Sequence, residues 1–145
     1  MTNFNIEQLL PNARDLRVAQ VGQLVAAEIY EEEYLAQYSE YTVKDVERRA
    51  AMLIAVDNRG VVLGIGSLHN NYDGTGMLED VATAKSARGQ GIGRAIITEI
   101  EKIAVDHGMY EIVLYPKTGA VGFYHQLDYE FRLETPNDNT MHKIL

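Results

Sequence analysis

The strongest constraint on the fold is the order of hydrophobic patterns between residues 77 and 115. Residues 77–84 and 111–115 are short, largely apolar runs of the length of a β-strand. Four isoleucines between them recur every three or four residues, which is the spacing of an amphipathic helix over 92–107. They are Ile92, Ile96, Ile100 and Ile103. A strand, a helix and a second strand in this order predict a helix packed on a sheet.

The remaining patterns extend this unit into one mixed domain. Short apolar runs bounded by turn residues predict further strands, and a period of three to four residues predicts further helices. The predicted strands cover 4–10, 52–56, 61–68, 129–133 and 141–145, and the predicted helices lie around 18–29, 43–50 and 121–127. We therefore predict a single α/β (α+β) domain over residues 1–145, with a mixed central sheet flanked by helices.

Composition excludes several classes of function. The chain has no cysteine, which rules out disulfides, zinc–thiolate sites and cysteine nucleophiles. No apolar run approaches the ~20 residues of a membrane span, and the first ten residues do not resemble a signal peptide, so we expect a cytoplasmic protein with no membrane contact. With 21 acidic and 13 basic residues the net charge is −8, which argues against binding nucleic acid. The four histidines lack ligand spacing, and we predict no metal.

The segment Arg-Gly-Gln-Gly-Ile-Gly-Arg, residues 88–94, lies directly before the strongest predicted helix and is called the glycine cradle below. A helix start leaves up to four backbone N–H groups without intrahelical partners, and a Ser, Thr, Asp or Asn usually caps them. The cradle contains none of these residues. Its glycines let the backbone approach a ligand, and the helix dipole and two arginines attract an anion. The segment therefore predicts a phosphate site made of backbone amides.

Two common phosphate-binding patterns do not fit the cradle. A Walker A loop needs Lys-Ser or Lys-Thr where Arg94 and Ala95 stand, and a dinucleotide fingerprint needs glycine at Arg94. The pattern that fits is Arg/Gln-x-x-Gly-x-Gly/Ala, the pyrophosphate-binding motif of the GNAT superfamily of N-acetyltransferases, which this chain resembles.

The resemblance covers the C-terminal half of the chain well and the N-terminal half only by the order of elements. It continues into residues 122–129, Gly-Phe-Tyr-His-Gln-Leu-Asp-Tyr, which look like the family's Phe-Tyr-x-x-x-Gly-Phe/Tyr segment. Asp128 replaces the usual glycine, and Lys117 stands where the family often has asparagine. The resemblance implies a mostly antiparallel central sheet with a strand–cradle–helix–strand unit that binds coenzyme A.

The resemblance also implies an activity, the transfer of an acetyl group from acetyl-CoA to a primary amine of a small molecule by direct attack in a ternary complex. The pyrophosphate of acetyl-CoA would bind the cradle amides, and the pantetheine arm would lie along residues 81–83. Tyr124 matches the tyrosine that protonates the departing thiolate in many members. The implied cofactor-binding residues are Val81, Ala82, Thr83, Arg88, Gly89, Gln90, Gly91, Ile92, Gly93 and Arg94.

Two adjacent acids, Glu79 and Asp80, interrupt the predicted strand at 77–84, where an unpaired carboxylate is costly to bury. Alternation in a regular strand places them on opposite faces, with Glu79 on the face of Val81 and Thr83. Glu79 is therefore the candidate general base, directly or through water, and Asp80 a structural hydrogen-bonding group or a substrate ligand. An exposed strand end with two solvated acids is the alternative for both. His69, at the end of the preceding strand, is an alternative base.

A segment rich in tyrosine and glutamate follows the first predicted helix. Aromatic faces and carboxylates together suit a cationic amine, which predicts an acceptor site with Tyr30 and Tyr34 as substrate-binding residues. A tyrosine stripe packed on the sheet beside a solvated acidic face is the alternative. The tyrosines are Tyr30, Tyr34, Tyr38 and Tyr41, and the glutamates are Glu28, Glu31, Glu32, Glu33 and Glu40.

Other functions also fit the sequence. Residues 78–81, 109–112 and 122–124 resemble glucosamine-phosphate N-acetyltransferases, although Glu111 stands where that subgroup has lysine. A protein N-terminal or lysine acetyltransferase is a second alternative, and a non-catalytic acyl-CoA-binding sensor is a third. Association into a homodimer also stays open.

Overall fold

The computed structural model describes residues 2–10, 17–28, 48–133 and 139–145. Its elements follow the predicted order closely, and residues 75–114 confirm the predicted strand–helix–strand unit. The strands are β1 (Phe4–Gln8), β2 (Ala51–Asp57), β3 (Val62–Asn70), β4 (Thr75–Thr83), β5 (Glu111–Leu114), β6 (Glu130–Phe131) and β7 (Met141–Ile144). The helices are α1 (Arg17–Glu28), α2 (Ile92–Asp106) and α3 (Val121–His125), with one 3₁₀ turn at Lys85–Ala87.

The strands of the described residues form one seven-stranded sheet in the order β1-β2-β3-β4-β5-β7-β6. Every neighbouring pair is antiparallel except β4 and β5, which are parallel because α2 connects them. This arrangement confirms the predicted mixed, mostly antiparallel sheet. Among the described residues, no helix is both long and apolar enough to cross a membrane.

The two long helices cover opposite faces of the sheet. Alternate residues of β2 point to each face, so Met52 and Ile54 pack with α1 while Leu53 packs with α2. The isoleucine stripe of α2 faces the sheet as predicted, with Ile92, Ile96 and Ile100 at most 1% exposed. Burying each of these side chains contributes roughly 1.5–3 kcal/mol, which is why the helix keeps this face on the sheet.

Two glycines of β3 let α2 lie close to the sheet. A Cβ atom at Gly64 would come within 2.6 Å of Cγ2 of Ile92, and one at Gly66 within 2.6 Å of Cγ2 of Ile96. A larger residue at either position would push the helix away from the strand. The lack of a side chain at these two positions of β3 thus sets how close the start of α2, which carries the glycine cradle, lies to the sheet.

Strand β4 is irregular in a way that shapes the rest of the molecule. It pairs with β5 only at residues 75–77, and beyond Met77 its hydrogen-bonded neighbour is β3 alone. Between the register pairs Ile65–Ala82 and Ser67–Glu79, β4 contains one residue more than β3, which is a β-bulge. Asp80 lies in this bulge with a φ of 52°, in the left-handed region. The bulge therefore lies in the part of β4 that follows its last pair with β5, Met77–Val113.

Candidate functional site

A cavity of about 710 Å³ opens where β4 and β5 separate, and it is called the β4–β5 cavity below. Val81, Ala82 and Thr83 line one side, and α3 supplies Phe123 and Tyr124. The glycine cradle contributes Arg88, Gly89, Gly91, Ile92, Gly93 and Arg94. The structure thus brings together the predicted cofactor-binding residues and the predicted catalytic tyrosine, although they are distant in sequence. Gln90 is the exception, because its side-chain oxygen accepts a hydrogen bond from the backbone N–H of Thr2.

The start of α2 lacks a side-chain cap, as its sequence predicts. Gly91 occupies the N-cap position with a φ of 79°, and no side chain hydrogen-bonds there. The backbone N–H of Ala95 donates to the Gly91 carbonyl at 3.0 Å, which leaves the N–H groups of residues 92–94 without an intrahelical acceptor. A Cβ atom on Gly89 or Gly91 would meet nothing within 4 Å. The approach to these amides is open, which is what an anion needs.

The charges around the cavity differ in sign from the chain as a whole. Arg88, Arg94 and Lys117 line the cavity together with one carboxylate, Glu28, in a chain whose net charge is −8. Arg88 forms an ion pair with Glu28 and donates to the Thr83 carbonyl at 3.3 Å, and Lys117 donates to the Glu28 carbonyl at 2.8 Å. The described lining is therefore a local cationic surface beside an uncapped helix start, where a phosphate group is stabilised.

Tyr124 lines the same cavity with a largely buried side chain. The side chain is 8% exposed and packs edge-on against Phe123 and Tyr129, with ring centroids 5.1 and 5.9 Å away. Burial raises the pKa of its hydroxyl to about 12, and the structure records no hydrogen bond from it to any described residue. A buried hydroxyl without a partner costs roughly 1–3 kcal/mol, so a ligand atom at this position would be stabilised by it.

Glu79 and Asp80 do not take the opposite faces that regular alternation predicts, and this prediction is wrong. Glu79 pairs with Ser67, whereas Val81 packs on the α2 face together with Leu78. In a regular strand, residues three positions apart, such as Leu78 and Val81, would point to opposite faces. The bulge at Asp80 resets the alternation, so Glu79 and Val81 lie on different faces. Neither acid is among the described residues that line the β4–β5 cavity.

Both acids instead contact one guanidinium. The Arg49 Nη2 atom lies 3.0 Å from Asp80 Oδ2 and 3.1 Å from Glu79 Oε2. The Asp80 and Arg49 side chains are only 11% and 16% exposed, while Glu79 is 35% exposed. The acids are therefore neither unpaired in the core nor solvated at a free strand end, and Glu79 keeps part of its surface accessible.

The structure separates the histidines from the cavity. His69 lines a different cavity of about 220 Å³ with Arg48, Arg49 and His107. Glu111 is hydrogen-bonded to His142 at 2.9 Å and to Arg132 at 2.6 Å. Burial raises the pKa of the Glu111 carboxyl, but its interactions with His142 and Arg132 outweigh burial, so the pKa lies below its usual range. Within the described residues, no three His, Asp or Glu side chains form a group that could hold a metal.

Some site residues escape sequence reasoning, and some predictions fall outside the structure. No local sequence pattern identifies Arg49 as a site residue, because Asp80, which it contacts, lies 31 residues further along the chain. Lys117 is visible only as a departure from the family pattern, and its contact with the end of α1 comes from the fold. Tyr30 and Tyr34, with the neighbouring tyrosines and glutamates from residue 29 to 47, lie outside the described residues.

Comparison with known proteins agrees with this geometry. The model of the acetyltransferase (GNAT) family matches residues 20–129. The uncharacterized N-acetyltransferase YjcF of Bacillus subtilis is 32% identical over 91 residues, 63% of this chain and 64% of its own length. The glucosamine 6-phosphate N-acetyltransferase of Candida albicans is 33% identical over 55 residues, 38% of this chain and 37% of its own length. The chain thus spans between about one third and two thirds of the length of these curated relatives.

Solved structures share the fold over nearly the whole chain. A GNAT family N-acetyltransferase from Escherichia coli, solved in complex with CoA, superposes with a TM-score of 0.76 at 14% identity. The superposition covers 99% of this chain and 82% of the other. At this level of identity the likeness shows the common fold.

Proposed function

This chain belongs to the acetyltransferase (GNAT) family, and we propose that it transfers an acetyl group from acetyl-CoA to a primary amine of a small molecule by direct attack in a ternary complex. One observation carries the proposal. A single cavity joins an uncapped helix start, a strand edge that β5 leaves free, and the buried hydroxyl of Tyr124. These are the three features that a diphosphate, an amide-containing arm and a thioester would need in this order.

The cradle fits the diphosphate of coenzyme A. The free N–H groups of residues 92–94 and the N-terminal end of the α2 dipole supply positive potential without any side chain. Arg88 and Arg94 add two charges at the cavity wall. Arg94 has no ion-pair partner among the described residues, and Arg88 can exchange Glu28 for a phosphate.

The free edge of β4 fits the pantetheine arm. Among the described residues, no strand pairs with residues 81–83 on the cavity side, so backbone groups there can bind the arm's two amides, with Arg88 displaced from the Thr83 carbonyl if that group takes part. An extended arm paired with this edge would occupy the place of a further strand. It would direct the thioester from the cradle toward Tyr124, which lies in the same cavity.

The proposed reaction forms a C–N bond and breaks a C–S bond. The neutral amine attacks the thioester carbonyl, its nitrogen loses a proton to a base, and the sulfur leaves as a thiolate that takes a proton. Because its pKa is about 12, the Tyr124 hydroxyl keeps its proton at neutral pH and can donate a hydrogen bond, and then the proton, to the sulfur as charge develops. The tyrosine then regains a proton from solvent.

We assign the base to Glu79, directly or through a water molecule, with His69 as the alternative. Glu79 is a partly accessible carboxylate next to the strand segment that lines the cavity. Its partner Arg49 keeps it oriented, and Asp80 is the structural member of the pair. The acceptor is proposed to be a cationic amine bound near Tyr30 and Tyr34.

A second acceptor class is favoured by a specific observation. The relatives from Candida albicans and Trypanosoma brucei are glucosamine 6-phosphate N-acetyltransferases, and the chain shares the Glu-Asp-Val sequence at residues 79–81 with that subgroup. Glu111 stands where that subgroup has lysine, and here it is bound by Arg132 and His142. An amino-sugar phosphate is therefore the second candidate.

Thiol release from acetyl-CoA across a panel of amines tests the function. Because the chain has no cysteine, a thiol reagent detects only the coenzyme A that is released. The panel contains a polyamine, an amino-sugar phosphate, a peptide with a free N-terminus and a peptide with one lysine. Release with the polyamine, with a KM that rises with salt because screening weakens attraction between exposed charges, supports the cationic acceptor. Binding of acetyl-CoA with no release for any amine would instead indicate a sensor.

Substitution of Gly91 by valine tests the cradle. The side chain would stand where a diphosphate approaches the amides, and we expect acetyl-CoA affinity to fall by more than about tenfold, or about 1.4 kcal/mol, by calorimetric titration. Gly60→Val is the matched control, because Gly60 has a φ of 80° and equally open surroundings but lies in the β2–β3 turn. Equal affinities in two folded variants would contradict the cradle assignment.

Substitution of Tyr124 by phenylalanine tests the general acid. The ring packing against Phe123 and Tyr129 is kept and the hydroxyl is lost. We expect kcat to fall by roughly 10²–10⁴, with little change in acetyl-CoA affinity, since the hydroxyl acts mainly as charge develops on sulfur. Tyr110→Phe, at an exposed tyrosine, serves as the control. Parallel losses of binding and turnover would indicate a packing role instead.

Substitution of Glu79 by glutamine tests the base. The amide keeps the shape and a hydrogen-bond acceptor but cannot take up a proton at neutral pH. We expect kcat to fall by roughly 10²-fold or more and the acidic limb of the pH–rate profile to disappear. Glu99→Gln, at an exposed pair with Lys102, is the control. A profile identical to that of the wild type would move the role to water or to His69.

A further inference from the structure

We propose that Arg49 is a positioning residue that holds the β4 bulge and, through it, the carboxylate of Glu79. This inference rests on the proposed role of Glu79 in the transfer reaction. Arg49 lies two residues before β2, on the other side of β3 from the acids that it contacts. No local pattern in the sequence connects these residues, so the contact is a product of the fold.

The contacts of Arg49 span the bulge from one strand to the next. Its Nη2 lies 3.0 Å from Asp80 Oδ2 and 3.1 Å from Glu79 Oε2, while its Nε donates to the Ser67 hydroxyl at 3.3 Å. The Ser67 hydroxyl in turn donates to the backbone carbonyl of Glu79 at 3.0 Å. These four residues, Arg49, Ser67, Glu79 and Asp80, are called the Arg49 clamp below.

Three of the four side chains of the clamp are largely shielded from solvent. Ser67 is fully buried, and the side chains of Arg49 and Asp80 are 16% and 11% exposed. Charge pairs in such surroundings are screened less than pairs in open solvent. By comparison, the ion pair of Arg59 with Asp57 is 3.9 Å long, and the Arg59 side chain is 85% exposed. The pair at the bulge is therefore shorter than the Arg59 pair, and its arginine is much less exposed.

The backbone at Asp80 explains why the bulge needs a partner. A φ of 52° is less favourable than an extended backbone even for aspartate, which tolerates it better than most residues, and a strand without the bulge would restore regular alternation. Regular alternation would turn Glu79 to the face of Val81 and change the direction in which its carboxylate points. The ion pair with Asp80 opposes this change because it is made only with the bulge in place.

The charge balance of the clamp gives Arg49 a second effect on Glu79. Two adjacent carboxylates repel each other, and one guanidinium leaves the group with a net charge of −1. The single contact between Arg49 Nη2 and Glu79 Oε2, together with the pair to Asp80, fixes the direction in which the Glu79 carboxylate points. The cradle at residues 88–94 makes no contact with the clamp in the interactions recorded for the described residues.

The test uses the full-length chain with Arg49→Gln, Arg49→Lys and the control Arg59→Gln, measuring kcat, KM for the amine that the wild type acetylates, acetyl-CoA affinity and Tm. We expect Arg49→Gln to lower kcat by about tenfold to a hundredfold, as misplaced catalytic groups do, with acetyl-CoA affinity within about threefold of the wild type. Arg49→Lys should recover part of the loss, because one ammonium still binds one carboxylate. Arg59→Gln should match the wild type.

A double-mutant cycle separates positioning from general stability. If Arg49 acts through Glu79, Arg49→Gln should lower kcat much less in a Glu79→Gln background than in the wild type. Equal losses in both backgrounds, or a folded Arg49→Gln variant with wild-type kcat, would overturn the proposal. If Arg49→Gln does not fold, Asp80→Asn is measured in its place, because asparagine tolerates the left-handed conformation and removes the charge that pairs with Arg49. A kcat of Asp80→Asn equal to that of the wild type would then overturn the proposal. Wild-type thiol release is measured first, so failure of the transferase function itself is seen separately.

Discussion

Strand β4 is hydrogen-bonded to β3 along most of its length but to β5 at only three register pairs, Thr75–Glu111, Gly76–Ile112 and Met77–Val113. If β4 were paired with both β3 and β5 along its whole length, no space would remain between β4 and β5. If it were paired with neither, its backbone N–H and C=O groups would be unpaired. Here β4 stops pairing with β5 after Met77 but continues to pair with β3, on both sides of the bulge at Asp80. The cavity, its free strand edge and the position of α3 beside it all follow from this separation.

The electrostatics of the cavity depend on position more than on composition. A chain with a net charge of −8 repels a diphosphate at long range, yet the helix start collects unpaired N–H groups, Arg88, Arg94 and Lys117 within one cavity. Interactions between charges farther apart than about 8 Å are largely screened at physiological salt, so the near groups dominate. Glu28 is the one carboxylate of the described lining, and it neutralises Arg88 where no phosphate is bound.

Packing and chemistry use the same residues at the far end of the cavity. Tyr124 contributes its ring to the core that contains Tyr129 and Leu127, while its hydroxyl has no hydrogen-bond partner among the residues that the structure describes. The ring contacts hold the hydroxyl in place, which a side chain on a loop would not do. At the following turn Asp128 adopts a φ of 70°, and this explains why the family usually has glycine there. Aspartate tolerates this conformation better than most residues, so the departure does not break the turn.

Much of the fold could be predicted from the sequence because it depends on local periodicity. The isoleucine stripe of α2, the β2–β3 hairpin and the uncapped helix start are visible as spacing, turn residues and missing caps, and the structure confirms each of them. The cradle and Tyr124 could be placed in one site because a short motif and its order along the chain carry that information. What the sequence determined by itself is therefore the order of the described elements and the part of the cavity lining that a motif marks; Glu28 and Lys117 joined that lining only through the fold.

Only the tertiary structure decided how the acids at residues 79 and 80 are arranged. Alternation predicts opposite faces, but it assumes a regular strand, and the bulge cannot be recognised from the residues of β4 alone. The bulge is stabilised by Arg49 and Ser67, which come from other parts of the chain. Contacts between residues far apart in sequence form only when the sheet is assembled, so their effect on one strand is a property of the fold and not of local sequence.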